Sequence, residues 1–318
     1  MKTLDQIEAR VPIPSLPYCI TNSGSYYLTT NLIDRLGTNG IIIAAEHVTL
    51  DLNGFALLGA PTAAALHDTE ATGTSLTGIT VASNCVSVTI RNGTVANWGA
   101  QWGLGDGIYA PFSAGVTCER LTVADNLGNG IVVGPRILEP GVPTEKCLIR
   151  DCVVARNCRT GISARGGVVS HCTISENADG VILFHGQIRN CVIRDSYNQG
   201  ITAVNSTVAD CEVLNSDEDG IEADGSCQIL NNRVVGTRGS PGYALKIAGH
   251  RNRVENNSVV DNNYGVLMEG TSNIVVKNTF SGNDVDWQVT YPEKNTAPAP
   301  ISPGSAITNA SPWANIIH

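Results

Sequence analysis

Six ionisable side chains in the second half of the chain have the residue types that acid–base catalysis uses. Paired carboxylates can cleave a glycosidic bond, and a Lys, Arg or His with a lowered pKa can remove the C5 proton of a uronate while a cation neutralises its carboxylate. The alternative is a solvated charge ladder, in which each ion pair contributes under about 1 kcal/mol. The predicted catalytic residues are Arg165, His185, Glu222, Asp224, Lys246 and Glu269.

An acidic segment at residues 216–225, SDEDGIEADG, concentrates carboxylates in ten positions. Hard cations such as Ca²⁺ are bound by carboxylate and carbonyl oxygens, so Ca²⁺ is the predicted cofactor. The predicted metal ligands are Asp217, Asp219, Glu222 and Asp224. The alternative is a solvated bend.

Three aromatic residues are predicted to bind substrate: Trp98, Trp102 and Phe184. Both tryptophans lie in a glycine-rich insertion, NWGAQWGLGD at residues 97–106. An indole exposed on a loop above a groove could stack on a sugar ring. The alternative is that the tryptophans fold back onto the segment that they interrupt.

The candidate residues lie on or beside short strands that begin with a glycine and a hydrophobic residue. In the most regular part of the chain, four such glycines follow each other at steps of 19, 20 and 20 residues. A strand-based period of about 20 residues is typical of a solenoid, which presents stacked side chains as an ordered face. The ten glycines are Gly40, Gly78, Gly107, Gly130, Gly161, Gly180, Gly200, Gly220, Gly242 and Gly265.

A second series of segments between these pairs alternates hydrophobic and polar residues and is rich in Val and Ile, which predicts strands. Side chains alternate between the two faces of a strand, so the residue after each glycine should point inward. In this register Glu222 belongs to one outward column. Lys246 belongs to a second outward column, between Asp224 and Glu269.

One column of the repeat contains cysteines at 152, 172, 191 and 211, followed by Asn232 and Asn257. Strands that stack in register lie about 4.8 Å apart, so like residues form an internal ladder. The interpretation is a stack of buried thiols that pack as small apolar groups. A disulfide between neighbours needs specific geometry and stays an open alternative.

This pattern resembles the right-handed parallel β-helix proteins of the pectin-lyase-like superfamily, over roughly residues 40–283. VTLDLNGF at 48–55 looks like the first full coil of such proteins, and TNSGSYYLTTNL at 21–32 looks like their first strand. The resemblance implies an all-β solenoid of about ten coils. The superfamily includes polysaccharide lyases, glycoside hydrolases, uronate epimerases, tailspikes and adhesins.

The resemblance also implies a carbohydrate-active protein, and the expected activity is a lyase or hydrolase of an acidic polysaccharide. Because a fold does not fix a function, the alternative is a non-catalytic glycan-binding or structural scaffold. The candidate residues match the catalytic motif of no single family. On either alternative the expected partner is a polysaccharide, bound at the charged columns.

Composition excludes several other classes. The net charge is −9 and no basic run occurs, so nucleic acid is not an expected partner. No apolar stretch approaches the length of a membrane span, and MKTLDQIEAR lacks the apolar region of a signal peptide. The family resemblance nevertheless favours a secreted or cell-surface protein.

Three regions are predicted along the chain. Residues 1–39 form an N-terminal cap and first strand, residues 40–284 form the β-helix, and residues 285–318 form an irregular tail. Open coils would pair with other chains unless they were covered. The tail is therefore a predicted homo-oligomer contact, with packing on its own chain as the alternative.

Overall fold

The computed structural model describes residues 10–35, 37–60, 74–100, 105–134, 146–301 and 312–317. Strands make up nearly all of the regular structure, and within the described part of the chain the one helical element is a 3₁₀ turn at Pro292–Lys294. Two compact units divide the chain, Met1–Val168 and Val169–His318. No described helix is long and apolar enough to cross a membrane.

The first unit is built from parallel strands that return to the same two sheets. One sheet contains β2, β5, β9, β12, β14 and β17 in that order, and a second series begins β1, β3, β6 and β10. β8 and β11 form a small antiparallel pair. The strands are β1 (Val11–Ile13), β2 (Tyr18–Ile20), β3 (Gly24–Leu28), β4 (Leu32–Ile33), β5 (Ile41–Ile43), β6 (Val48–Asp51), β7 (Ala56–Leu58), β8 (Thr74–Ser75), β9 (Ile79–Val81), β10 (Thr89–Ala96), β11 (Gly99–Ala100), β12 (Ile108–Ala110), β13 (Thr117–Ala124), β14 (Ile131–Val133), β15 (Leu148–Arg150), β16 (Val153–Ala155) and β17 (Ile162–Arg165).

The second unit repeats a group of three short strands. β20, β21 and β22 pair in parallel with β23, β24 and β25, and those pair with β26, β27 and β28. The strands are β18 (Val168–Ser170), β19 (Thr173–Ser175), β20 (Val181–Phe184), β21 (Gln187–Arg189), β22 (Val192–Arg194), β23 (Ile201–Val204), β24 (Thr207–Ala209), β25 (Glu212–Leu214), β26 (Ile221–Asp224), β27 (Gln228–Leu230), β28 (Arg233–Val235), β29 (Tyr243–Ile247), β30 (Arg253–Glu255), β31 (Ser258–Val260), β32 (Tyr264–Met268), β33 (Ile274–Val276), β34 (Thr279–Ser281), β35 (Val285–Val289) and β36 (Ile316–Ile317). The predicted fold class, an all-β parallel β-helix, is confirmed.

Alternation along each strand sends one set of side chains into the core, as the sequence pattern predicts. Ile201 and Ala203 of β23 are buried, and they stack on Ile221 and Ala223 of β26. Glu222, between the last two, is half-buried and stacks on Thr202. The inner face is therefore apolar, and the outer face is available for polar chemistry.

The glycines that lead these strands are required by close packing between successive coils. A Cβ at Gly200 would lie 2.6 Å from the carbonyl oxygen of Gly220 and 2.7 Å from Ser216 Oγ. Real Cβ atoms do not approach other heavy atoms so closely, so any side chain there would push the coils apart. The glycine period in the sequence therefore reflects the close approach of successive coils at these positions.

Buried polar ladders run beside the apolar core. Asn232, Asn257, Asn278 and Asn315 stack so that each side-chain NH₂ donates to the next side-chain oxygen, at 2.9–3.1 Å. Each oxygen also accepts the backbone N–H of the preceding asparagine in the stack. Buried amides are stable only when they are hydrogen-bonded, and the ladder meets that requirement in every step.

The cysteines continue the same column. None of the ten cysteines, which all lie in the described part of the chain, forms a disulfide, and Cys172, Cys191 and Cys211 are buried. The Cys172 N–H donates to Cys191 Sγ at 3.4 Å, and the Cys211 N–H donates to Asn232 Oδ1 at 3.0 Å. A thiol and an amide oxygen therefore accept from equivalent backbone groups, which explains why one column contains both residue types.

Parallel pairing extends past both predicted limits of the β-helix. At the N-terminal side, β1 already pairs with β3 and β2 with β5, so within the described residues parallel pairing is present from Val11 onward. At the other end, β35 pairs with β32, and β36 pairs with β34 of the same chain. The last described residues thus pack on their own chain, and the homo-oligomer contact stays a prediction.

Candidate functional site

The second unit brings three of the predicted residues together on the outer face of its sheet. Lys246 Nζ on β29 lies 3.2 Å from Asp219 Oδ2 and 3.3 Å from Glu222 Oε1. Glu222 on β26 is in register with Lys246, and Asp219 comes just before that strand. We call Asp219, Glu222 and Lys246 the charged triad.

The predicted position of Lys246 between Asp224 and Glu269 is wrong. Leu245 stacks on Ile221, so Ala244 occupies the place that Gly220 has in the preceding coil, two residues after the predicted lead glycine, Gly242. The two extra residues move Lys246 into the column of Glu222.

Asp224 and Glu269 lie elsewhere and are exposed. Asp224 ends β26 in the column of Phe184 and Val204. Glu269 follows β32, and its N–H donates to the Ile247 carbonyl at 3.0 Å. Neither carboxylate forms a described ion pair with Lys246. Both residues therefore stay outside the charged triad.

The charge state of Lys246 follows from its two carboxylate partners. Partial burial by itself would lower the pKa of Lys246, but the Asp219 and Glu222 carboxylates outweigh that effect and raise it. At neutral pH the side chain is therefore an ammonium ion. Lys246 is one of three candidate bases, with Arg165 and His185, on the condition of a lowered pKa; its raised pKa does not meet that condition, and a role as a cation remains.

Asp219 is the anchor of the triad. Its side chain is only 6% exposed, and its Oδ1 accepts the Tyr243 N–H at 3.0 Å while Oδ2 faces Lys246. A buried carboxylate with both oxygens engaged is costly to disturb. Asp219 therefore positions the start of β29 and the lysine, and Glu222 is the more exposed carboxylate.

Two tyrosines that were not predicted as site residues lie beside the triad. The rings of Tyr243 and Tyr264 are 4.9 Å apart, and the Tyr243 hydroxyl lies 3.4 Å from Gln288 Oε1. Burial, followed by the nearby Tyr264, Asp219 and Glu269, raises the pKa of Tyr243. At neutral pH the Tyr243 phenol is thus protonated and able to donate.

The tyrosines could have been found from their spacing. Tyr243 and Tyr264 are 21 residues apart, which is one step of the repeat. The sequence register treated Tyr243 as an inward residue because it follows Gly242. In the structure Tyr243 takes the place that Asp219 has in the preceding coil, one residue before the lead position, and both rings are half-buried.

The four predicted Ca²⁺ ligands do not converge. Asp217 and Asp224 are exposed, Asp219 is engaged as described, and the Lys246 ammonium lies between Asp219 and Glu222. In residues 10–35, 37–60, 74–100, 105–134, 146–301 and 312–317, no group of three or more His, Cys, Asp or Glu could hold a metal ion. This donor set therefore does not fit the predicted cation.

The remaining predicted residues are placed as follows. His185 is exposed at a left-handed bend (φ 53°) directly after β20, next to the half-buried Phe184. Phe184 stacks on Val204 in the outer face, so its predicted role in binding stays open. Arg165 is the half-buried last residue of β17 in the first unit.

The prediction that Trp98 is an exposed sugar-stacking residue is wrong. Its side chain is 0% exposed, and its indole N–H donates to the Leu57 carbonyl at 3.1 Å. The ring fills space left by two lead glycines: a Cβ at Gly40 or Gly78 would lie 2.7 or 2.9 Å from it. Trp102 lies outside the described residues.

Comparison with known proteins identifies the repeat. A family model described as right-handed beta helix region matches residues 19–187 and again residues 144–286. No curated protein sequence matches the chain.

Several solved structures share the architecture. The Dettilon tailspike protein has a TM-score of 0.65 at 14% identity over 90% of this chain, which spans 62% of that protein. The A-module of a mannuronan C-5 epimerase from Azotobacter vinelandii has a TM-score of 0.58 at 13% identity, with 90% of this chain and 84% of that one covered. The catalytic domain of an α-1,3-glucanase has a TM-score of 0.56 at 12% identity, with 91% and 61% covered. At these identities the likeness is one of fold.

Proposed function

Because the chain belongs to the right-handed beta helix family, we propose that it is a carbohydrate-active protein that holds an acidic polysaccharide against the outer face of β26, β29 and β32. The observation that carries the proposal is the Lys246 ammonium held by Asp219 and Glu222 at 3.2 and 3.3 Å, on the strand that begins with Tyr243. Two proteins of similar fold are named as a mannuronan epimerase and an α-1,3-glucanase, which supports a polysaccharide as the ligand.

The charged triad favours β-elimination over hydrolysis. Lys246 can neutralise the carboxylate of a uronate, which acidifies the C5 proton. Glu222 Oε2 has no hydrogen bond within the described part of the chain and can accept that proton, and the Tyr243 phenol can donate one to the departing C4 oxygen. Hydrolysis by a carboxylate pair would need Asp219, whose two oxygens are already engaged.

A glycan-binding module without catalysis is the second candidate. It is favoured by the compensation of Lys246 by two carboxylates, an arrangement that also occurs in purely structural ion networks. In that case the tyrosine pair and Gln288 would contribute contacts to sugar hydroxyls, and the face would bind without bond cleavage.

The test is an assay on a panel of polyuronates and neutral glycans, with and without chelator, that follows both the ultraviolet absorbance of unsaturated uronate ends and the release of reducing ends. We expect unsaturated ends from at least one polyuronate. Lys246→Gln should lower that rate by about 100-fold, the usual effect of one positioned electrostatic group. The matched control is Lys146→Gln, which makes the same charge change at an exposed position of the first unit.

Each other outcome is informative. Reducing ends without ultraviolet absorbance would establish hydrolysis and refute the elimination roles. Retention on a polyuronate gel without any product would establish the binding module. Loss of activity with chelator would support a requirement for Ca²⁺, bound by ligands other than the predicted four. Neither binding nor product on any glycan would refute the proposed function.

A further inference from the structure

A groove lies at the carboxyl ends of β26, β29 and β32, and no residue of the charged triad lines it. Its volume is about 430 Å³, and it is lined by Gly225, Ser226, His250, Arg251, Thr271 and Ser272. These residues come in pairs from the corners of three successive coils. None of them was singled out by the sequence pattern.

The backbone of these corners is already hydrogen-bonded, so the groove presents side chains. Ser226, Arg251 and Ser272 have left-handed backbones, with φ of 49°, 61° and 61°. Their N–H groups donate to the carbonyls of His250, Thr271 and Lys294 in the next coil, at 2.8–3.2 Å. The corners are thus fixed by stacking, and their side chains project from a rigid frame.

His250 is held in one tautomer by its neighbour. The Thr271 N–H donates to His250 Nδ1 at 3.0 Å, and Thr271 Oγ1 lies 3.0 Å from the same nitrogen. A backbone amide can only donate, so Nδ1 is the acceptor and Nε2 carries the proton. The exposed imidazole therefore offers an Nε2–H donor.

Arg251 is the positive charge of the groove. Within the described residues its guanidinium forms no ion pair, whereas Arg253, two residues on, pairs with Glu255. A guanidinium matches a carboxylate through two parallel hydrogen bonds. Two exposed carboxylates, Asp224 and Glu269, directly precede Gly225 and Gly270 in the chain. They disfavour an anion next to the strand ends, and Arg251 is the guanidinium among the residues that line the groove.

From this arrangement we propose that the groove binds a uronate residue, with its carboxylate on Arg251 and its hydroxyls on His250 Nε2–H and the Ser226, Thr271 and Ser272 hydroxyls. A neutral sugar would leave the guanidinium unpaired. The inference rests on the proposed function for its ligand class, and it adds a subsite separate from the charged triad.

The test uses monosaccharides, so that it does not depend on cleavage. Galacturonate, mannuronate and glucuronate are each titrated against the matching neutral hexose, and the Arg251 Nε–H and His250 ring signals are followed by NMR. We expect a saturable shift of both signals with at least one uronate and none with its hexose. Arg251→Gln should weaken that binding about tenfold or more, as expected for a lost charge-assisted hydrogen bond.

Two further variants keep the outcome specific. Arg238→Gln makes the same charge change at an exposed arginine of this unit that does not line the groove, and should bind as the wild type does. Arg251→Lys keeps the charge but lacks the paired N–H donors of the guanidinium, so its affinity should lie between those of the wild type and Arg251→Gln.

The subsite would be refuted if no uronate shifted these signals. It would also be refuted if the Arg251→Gln and Arg238→Gln variants, both with unchanged circular dichroism, bound the uronate equally well. If a uronate binds here but the polysaccharide assay gives neither product nor retention, the proposed function is refuted and the subsite is not.

Discussion

The asparagine ladder provides a direct test of what holds the coils together, through the change Asn257→Ala. Asn257 Oδ1 accepts the Asn232 N–H at 2.9 Å and the Asn232 side-chain NH₂ at 3.0 Å. Its own NH₂ donates to Asn278 Oδ1 and to the carbonyls of Ile229 and Glu255. Truncation to alanine removes all of these side-chain bonds at once.

The size of the effect follows from the groups that lose their partners. Asn232 is 1% exposed, and within the described residues its backbone N–H has no acceptor other than Asn257 Oδ1. A buried group left unsatisfied costs about 1–3 kcal/mol, and each further lost bond about 1 kcal/mol. We therefore expect Asn257→Ala to lower the free energy of unfolding by about 3 kcal/mol. Ser216 is the matched control, because its buried hydroxyl has no partner within the described part of the chain, and Ser216→Ala should be close to neutral.

The assay is equilibrium urea unfolding followed by far-ultraviolet circular dichroism, with hydrogen exchange to locate the change. Because the stability of a solenoid is close to a sum of nearest-neighbour terms, exchange should rise first in β27, β28, β30, β31, β33 and β34. An Asn257→Ala variant as stable as Ser216→Ala would refute the claim that the amide ladder stabilises the second unit.

Two further predictions concern charged groups. Hydrogen bonds from Lys277 and Arg253 hold the pKa of Glu255 below its usual 4.5. Its contribution to stability should therefore be constant above pH 4.5 and lost as the pH falls through the lower folded-state value. Between pH 7 and pH 3 the urea midpoint should fall less for Glu255→Gln than for the wild type. Midpoints that fall in parallel for the two proteins would contradict this reasoning. Lys246→Met leaves the buried Asp219 carboxylate without its cation and should cost about 2 kcal/mol, less than a fully buried pair because the lysine is partly exposed. The double variant with Asp219→Asn should recover part of that loss in the same assay, and an additive double variant would count against the pair.

Much of the fold could be predicted from the sequence because stacking leaves a local signature. Gly200 and Gly220 lead successive strands because a Cβ there would meet the next coil. The Cys211 and Asn232 column was visible because in-register strands place like residues one step apart. Apolar alternation along β23 and β26 likewise fixed which side chains face inward.

The site was less accessible, because it depends on the register of a single irregular coil. The sequence pattern assigned Lys246 to the column of Asp224, and only pairing of Leu245 with Ile221 moves it beside Glu222. No local pattern distinguishes a glycine in the lead position from Gly242, which lies two residues before the lead position held by Ala244. A displacement of two preserves the inward and outward alternation, and so leaves no trace in hydropathy.

Burial by distant parts of the chain was also beyond the sequence. The glycine-rich surroundings of Trp98 favoured an exposed loop, yet its indole fills the space left by Gly40 and Gly78. The repeat, its strands and its apolar face follow from the order of the amino acids alone, because each of these is set by neighbours along the chain or one coil away. The charged triad and the His250–Arg251 groove depend on how the coils pack, because their members meet only once the length of each corner sets how the coils align.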